Sequence, residues 1–287
     1  RDSNEFVATG TPATGSIIAE TKFLVDGKDS TNPLRDRINN VDPSTNDISN
    51  TGGTPNRDGS DYYFSGHTGV IDLNNGTLNY GILSNVDFSK AFTIEFWAKN
   101  RNQPSNRDRY WSIGTRDNNN PEYCYGFDYD SSNANFNGYG DTDNDTIAIT
   151  AYANNDYNWH HHLFQKHTDG SDQNYSFYLD GVRQVNKTHT PIGSIANEPF
   201  AIGGRPSGSG GTEFIDINFT DFMIHQKRLH TGSSFTLQTA KSEPASTFGS
   251  ATGSFEGVDV TAPSSVSKMG AVITYEETGT NALNTDI

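Results

Sequence analysis

The sequence predicts an all-β fold, a sandwich of two antiparallel sheets with extended terminal segments, on three observations. In Ala91–Lys99, Phe92, Ile94 and Phe96 alternate with Thr93, Glu95 and Trp97, so a pleated strand turns three apolar side chains toward a second sheet. Short apolar runs recur between clusters of Gly, Asn, Asp, Ser and Pro, which is the spacing of strands joined by polar loops. Only 32% of the 287 residues are hydrophobic, but 13 Tyr and 17 Phe supply area that the scarce Leu and Met do not, which argues against disorder.

Taken in order, residues 1–16 are polar and aperiodic and read as an N-terminal arm. The folded domain is expected over 17–231. Ile17–Asp26 alternates as its first strand. Residues 27–60 hold Gly, Asn, Asp, Pro and Ser around isolated apolar anchors, Leu34, Ile38 and Val41, and read as a long loop with room for one short strand. Strands are expected at Asp61–Phe64, Ala91–Lys99, Arg109–Thr115, Tyr123–Tyr129, Thr146–Tyr152, Trp159–His167, Tyr175–Asp180, Pro199–Gly203 and Glu213–His225. No repeat of fixed period is seen. Residues 232–287 read as an extended linker and the start of a C-terminal β segment: Gly232–Pro263 is rich in Ser, Thr, Gly and Ala with Phe235, Phe248 and Phe255 as packing anchors, and Ala271–Tyr275 resembles a new strand.

A formal charge of −15 disfavours nucleic acid and anionic membrane as partners, because phosphate repulsion would have to be overcome, whereas a neutral glycan meets no such barrier. Cys124 is the single cysteine, so no intrachain disulfide is available and stability must come from packing, assembly or metal. That suits a chain made in a reducing cytosol and released within a particle. No apolar run has the length of a membrane span, and Arg1 opens neither a basic leader nor the apolar core of a signal peptide.

Several motifs stand in a particular order: Thr21-Lys22-Phe23-Leu24-Val25-Asp26-Gly27 with Asp29-Ser30-Thr31, then Gly59-Ser60-Asp61-Tyr62-Tyr63-Phe64, Phe88-Ser89 and the 91–99 strand. Trp159-His160-His161, the Tyr178–Val182 hairpin, Ile202-Gly203-Gly204 and Phe219–His225 follow. Together they resemble laminin-G-like, or concanavalin A-like, jelly-roll domains of the kind found in phage virion proteins, over roughly residues 20–230. The tail Gly270–Ile287 is similar to segments of virion structural proteins of tailed phages. The resemblance implies a jelly roll, with the arms in contact with other virion subunits or with copies of the chain in a homo-oligomer.

For chemistry, His160 and His162 share one face of a strand roughly 7 Å apart while His161 points the other way. No nearby Cys, Glu or Asp pattern offers a third metal ligand, and His162 falls where the family usually has an apolar residue, so a buried, hydrogen-bonded imidazole is expected there and core packing for Trp159. Asp141, Asp143 and Asp145 alternate in a loop and can converge on a hard cation, Ca2+ being the candidate cofactor; the alternative is a solvated acidic turn. The loop departs from an EF-hand, with Thr146 for the turn glycine and Tyr152 for the bidentate glutamate. Sugar binding draws on aromatic rings and amides held on loops, and 110–157 is rich in both: Tyr123, Tyr125, Tyr129, Tyr139, Tyr152 and Tyr157 stand among Asn118–Asn120, Asn133 and Asn137. The loop residues Tyr139 and Tyr157 are the glycan-binding candidates. Glu213-Phe-Ile-Asp216-Ile-Asn218 is the nearest match to the closely spaced acids that glucanases of this sandwich carry, but Asn218 replaces the last acid and the spacing differs. Sequons begin at Asn75, Asn144, Asn174, Asn186 and Asn218, a number that so Asn- and Thr-rich a chain yields by chance.

The reading is therefore a non-enzymatic virion surface structural protein, a capsid fibre, decoration or tail-fibre subunit, at the virion surface or otherwise extracellular, with glycans as possible ligands. The alternatives are a lectin-like adhesin module of a marine bacterium and, third, a polysaccharide hydrolase, which needs an acid pair in a groove.

Overall fold

The computed structural model describes residues 17–44, 54–61, 63–64, 69–104, 107–115, 122–127, 132–139, 144–167, 173–189, 195–206 and 214–238. All of them lie in the compact unit Arg1–Thr247, one of two into which the chain divides. The arm 1–16, the Phe248 and Phe255 anchors and the Ala271–Tyr275 strand lie outside the described residues.

Fourteen strands form, and no helix is present among the described residues. They are β1 (Thr21–Val25), β2 (Asn56–Asp58), β3 (Val70–Asp72), β4 (Leu78–Gly81), β5 (Phe92–Asn100), β6 (Arg109–Gly114) and β7 (Glu122–Phe127). The second half contributes β8 (Asn133–Tyr139), β9 (Asn144–Ala153), β10 (His160–Lys166), β11 (Gln173–Leu179), β12 (Val182–His189), β13 (Phe200–Ile202) and β14 (Ile217–His225). One sheet has eight strands, ordered β12-β11-β10-β5-β14-β3-β2 with β1 also on β14; the other has six, ordered β4-β13-β6-β7-β8-β9. Every pairing is antiparallel. This is the predicted two-sheet sandwich.

The alternation in β5 sets the faces. Phe92, Ile94, Phe96 and Ala98 belong to the core between the sheets. In register beside them stand His162 opposite Phe96 and Phe164 opposite Ile94. Phe96 stacks on Phe222 at 4.8 Å and 11°, and on His162 at 4.9 Å and 2°. His162 is fully buried and its Nδ1 lies 2.8 Å from the Tyr125 hydroxyl, as expected of a hydrogen-bonded core imidazole. Burial, followed by the neighbouring His160 and His161 charges, drives its pKa well down, so it packs as a neutral ring.

The opposite face of the eight-stranded sheet is covered as well. There Thr93, Glu95 and Trp97 of β5 stand beside Gln165, Leu163 and His161 of β10, and all are at most 1% exposed. The cover comes from two chain segments, Tyr63–Phe64 over Trp97 and residues 226–238 beyond β14. The latter strap is tied at Phe235 N to Gly181 O (2.9 Å), at Arg183 N to Ser233 O (2.9 Å) and at Tyr178 Oη to Gly232 O (2.7 Å). Asp180 and Gly181, both at positive φ (49° and 75°), turn β11 into β12, and a Cβ on Gly181 would meet Phe235 O at 2.5 Å. Glycine is thus required twice over at that position.

Two expectations are corrected. Asp61–Phe64 is not a strand: β2 ends at Asp58, whose Oδ1 accepts from Ser60 N at 2.7 Å and turns the chain, so that Tyr63 and Phe64 lie on the sheet and join no ladder. Strands β3, β4, β8 and β12 were not expected. The first two are only three and four residues long, and β8 carries Asn133, Asn135 and Asn137 at alternate positions, residues poor in intrinsic strand preference.

Candidate functional site

Where Trp97 leaves the strap's cover, an aromatic platform forms. Tyr63 stacks on Trp97 with centroids 3.9 Å apart and planes 25° from parallel, Phe64 meets Trp97 edge-on at 5.5 Å, and Trp159 approaches Tyr63 at 6.2 Å. With one face on Trp97, Tyr63 still keeps 40% of its surface exposed, and Trp159 is half-buried. Such a stack contributes about 0.5–1.5 kcal/mol beyond area burial, enough to hold the Tyr63 ring in one orientation.

Asp61 is the polar hub of this surface. Its carboxylate accepts from Asn218 Nδ2 (2.8 Å) and Trp159 Nε1 (3.4 Å), and pairs with Lys99 Nζ (3.0 Å). Asn218 Nδ2 also reaches Asp58 at 3.4 Å. One rung further, Arg101 pairs with Asp72 at 2.6 Å and with Asp216 at 3.5 Å.

The loop between β9 and β10 carries Tyr157, Asn158 and Trp159 and is held by Asp156. Asp156 Oδ1 accepts from Asn158 N and Nδ2, both at 2.9 Å, and Asn100 Nδ2 donates to Asp156 O at 3.2 Å. His160 closes the loop: Nε2 lies 3.1 Å from Asp156 and Nδ1 lies 2.6 Å from Asp180. Burial alone would lower the His160 pKa, but the hydrogen bond and charge of Asp180, then those of Asp156, outweigh it and raise it. Burial, then the Asp180 charge, raises the Tyr63 hydroxyl, which stays a neutral donor. An exposed ring flanked by carboxylates, amides and a phenol can stack on the C–H face of a small ring and accept hydrogen bonds from its hydroxyls. Two surface clefts of about 520 and 350 Å3, near Asp87 and near Asp42, have no aromatic side chain in their lining.

A second cluster lies under the strap. Glu95 Oε1 is 2.9 Å from His225 Nε2, Glu95 Oε2 is 3.3 Å from His161 Nε2, and His225 Nδ1 is 2.9 Å from Thr21 Oγ1. Burial would push the Glu95 carboxyl up, yet the hydrogen bonds from His161 and His225 outweigh it and hold it well below the usual carboxylate range. The hydroxyl–imidazole–carboxylate order resembles a catalytic relay, but Glu95, His161 and His225 are at most 1% exposed and Thr21 is 5%. Sealed from substrate, it ties β1, β5, β10 and β14 together.

Of the predicted site residues, Tyr157 is 45% exposed, on the loop that also bears Trp159. Tyr139 ends β8 opposite Asn144, and Asp145 pairs with Gly138; nothing further is described of these side chains. Asp141 and Asp143 lie outside the described residues, as do Tyr129, Asn118–Asn120 and Glu213. Tyr123, Tyr125 and Tyr152 are buried core residues. Trp159, expected in the core, instead lies against Tyr63 at the surface. Acids do approach the histidines, Asp156 and Asp180 at His160 and Glu95 at His161. Among the described residues no three His, Cys, Asp or Glu side chains form a metal-holding group. Asp61 and Tyr63 stand in a run whose aromatic pattern resembles a strand; the signal that marks the surface is Trp97, a large aromatic on the polar side of β5.

The profile of the concanavalin A-like lectin/glucanases superfamily matches residues 74–233. No curated protein sequence matches the chain significantly. Among solved structures, the chain is similar to domain 4 of AbnA, a GH43 extracellular arabinanase from Geobacillus stearothermophilus, in complex with arabinotriose: TM-score 0.52, 17% identity, 74% of this chain and 95% of that one. It is also similar to part of Trypanosoma rangeli sialidase in complex with 2,3-difluorosialic acid: TM-score 0.51, 13% identity, 78% of this chain but only 34% of that one. At these identities the likeness is one of fold.

Proposed function

The chain belongs to the concanavalin A-like lectin/glucanases superfamily, and from that premise we propose that it is a non-enzymatic surface protein whose jelly roll binds glycans at Tyr63, Trp159 and Asp61. The exposed stack of Tyr63 on Trp97, with Asp61 bonded at its edge, carries this reading. Tyr157 extends the same surface. Two of the solved structures of similar fold hold a sugar or sugar analogue, which supports the ligand class. A non-enzymatic role fits the platform, because the Asp61 oxygens are engaged by Lys99, Asn218 and Trp159 in holding the surface together.

In its setting, the protein is a structural subunit of a tailed-phage virion surface, a capsid fibre, decoration or tail-fibre subunit. The support is a β sandwich stabilised without disulfides, its one cysteine buried, and the terminal segments flanking the jelly roll. A glycan array probed with wild type and Tyr63→Ala tests the binding. Tyr63→Ala is expected to weaken the strongest array ligand by about tenfold or more, as removal of a central aromatic anchor does. Unchanged binding by the folded variant would move the site elsewhere.

A further inference from the structure

We propose that the Tyr63–Trp159 platform selects uncharged sugars, and that Asp61 enforces the choice by occupying Lys99. The inference rests on the glycan-binding reading above and adds the class of ligand. Sugars that bear a carboxylate, sialic and uronic acids, are held by cations or by converging N–H donors. Beside this platform the described basic groups are Lys99, Arg101 and His160, and each already faces an acid. Lys99 Nζ lies 3.0 and 3.2 Å from the two Asp61 oxygens. Arg101 lies 2.6 Å from Asp72 and 3.5 Å from Asp216. His160 stands between Asp156 at 3.1 Å and Asp180 at 2.6 Å.

With Asp58 beside Asn218, six carboxylates surround three basic groups, so a ligand carboxylate entering here meets like charge. What the surface offers a ligand is the reverse of a cation: exposed acceptor oxygens on Asp61, Asp156 and Asp180, side chains that are 28%, 32% and 40% exposed. Hydroxyl donors and a C–H face satisfy these groups and the Tyr63 ring, and they belong to neutral pyranose and furanose residues. Asp61 is the determinant because its partner Lys99 is 30% exposed and, once released, would be within reach of a ligand acid.

The test uses the full chain against a neutral oligosaccharide array and matched pairs differing by one carboxylate, sialyllactose against its carboxyl-reduced form and a neutral oligosaccharide against its uronic acid counterpart, with calorimetry on the pairs that bind. Wild type is expected to favour the neutral member by about tenfold or more, since like-charge contact costs several kcal/mol. Asp61→Asn keeps one of the two oxygens, which accept from Trp159 Nε1 and from Asn218 Nδ2 respectively, and removes the charge that holds Lys99, so it should narrow or reverse that ratio. Lys99→Gln leaves Asp61 uncompensated and should widen it. Acidic members bound as tightly as neutral ones by wild type overturn the proposal, as does an unchanged ratio in whichever of the two variants folds. No signal from any sugar, neutral or acidic, with folded wild type overturns the glycan reading itself.

Discussion

Phe96 shows how much one inward residue of β5 contributes. It touches both sheets, stacking on Phe222 and His162 of its own and lying 5.8 Å from Tyr110 and 6.4 Å from Tyr125 of the other. Phe96→Ala leaves a void that four aromatic rings cannot close without leaving their rotamers. The expected loss is about 3–5 kcal/mol, measured by chemical denaturation. Less than about 1 kcal/mol would mean that the rings collapse into the space. At this scale the sequence was informative: the alternation of Phe92, Ile94 and Phe96 located the core, because a period of two has one buried solution. It could not show that Thr93, Glu95 and Trp97 would be buried too, because their cover comes from segments more than thirty positions away in the chain.

At the scale of elements, the loop from β9 to β10 and the turn from β11 to β12 are joined by a titrating link. Asp156 and Asp180 hold His160 from opposite sides, and its pKa is raised. A raised histidine pKa means that the folded state binds the proton more tightly than the unfolded one. The link is therefore complete below about pH 6.5 and is lost as pH climbs through the folded value. Hydrogen exchange at the amides of 156–159 should speed up, and glycan affinity should fall, as pH rises above about 6.5. His160→Gln should remove most of that slope; a slope of equal size in the variant would assign it to another group. Strand existence was legible where apolar residues alternate, as Phe92, Ile94, Phe96 and Ala98 do in β5. It was lost in β8, whose asparagines disguise the pattern, and around Tyr63, where an aromatic run lies flat on a sheet it does not join. The site escaped for the same reason: Asp61, Lys99, Trp159 and Asn218 converge only through tertiary contacts.

For the whole molecule, the described sandwich satisfies its own core, and no helix among the described residues is long and apolar enough to cross a membrane. The proposed virion role predicts that residues outside the sandwich drive association. Light scattering should find a multimer for the full chain and a monomer for residues 17–238. The net charge of −15 opposes close approach of copies, so the multimer should strengthen as salt rises. A full chain that stays monomeric at all concentrations and salt levels would remove the main support for a virion subunit. Calcium titration of the full chain and of Asp143→Ala checks the acidic loop: a heat in wild type that is absent in the variant would establish the cation, and no heat in either would leave a solvated turn.

The strap gives the domain a mechanical direction. Before Gln238 it is fastened by Arg183 N to Ser233 O and by Phe235 N to Gly181 O, beside the turn that also presents Asp180. Asp180 grips His160, and His160 anchors the loop carrying Tyr157 and Trp159. Tension applied through the chain beyond Gln238 meets first the Gln238 Nε2 bond to Asp221 at 2.8 Å and then the hairpin that steadies the ligand face, so load and grip share one path through the fold.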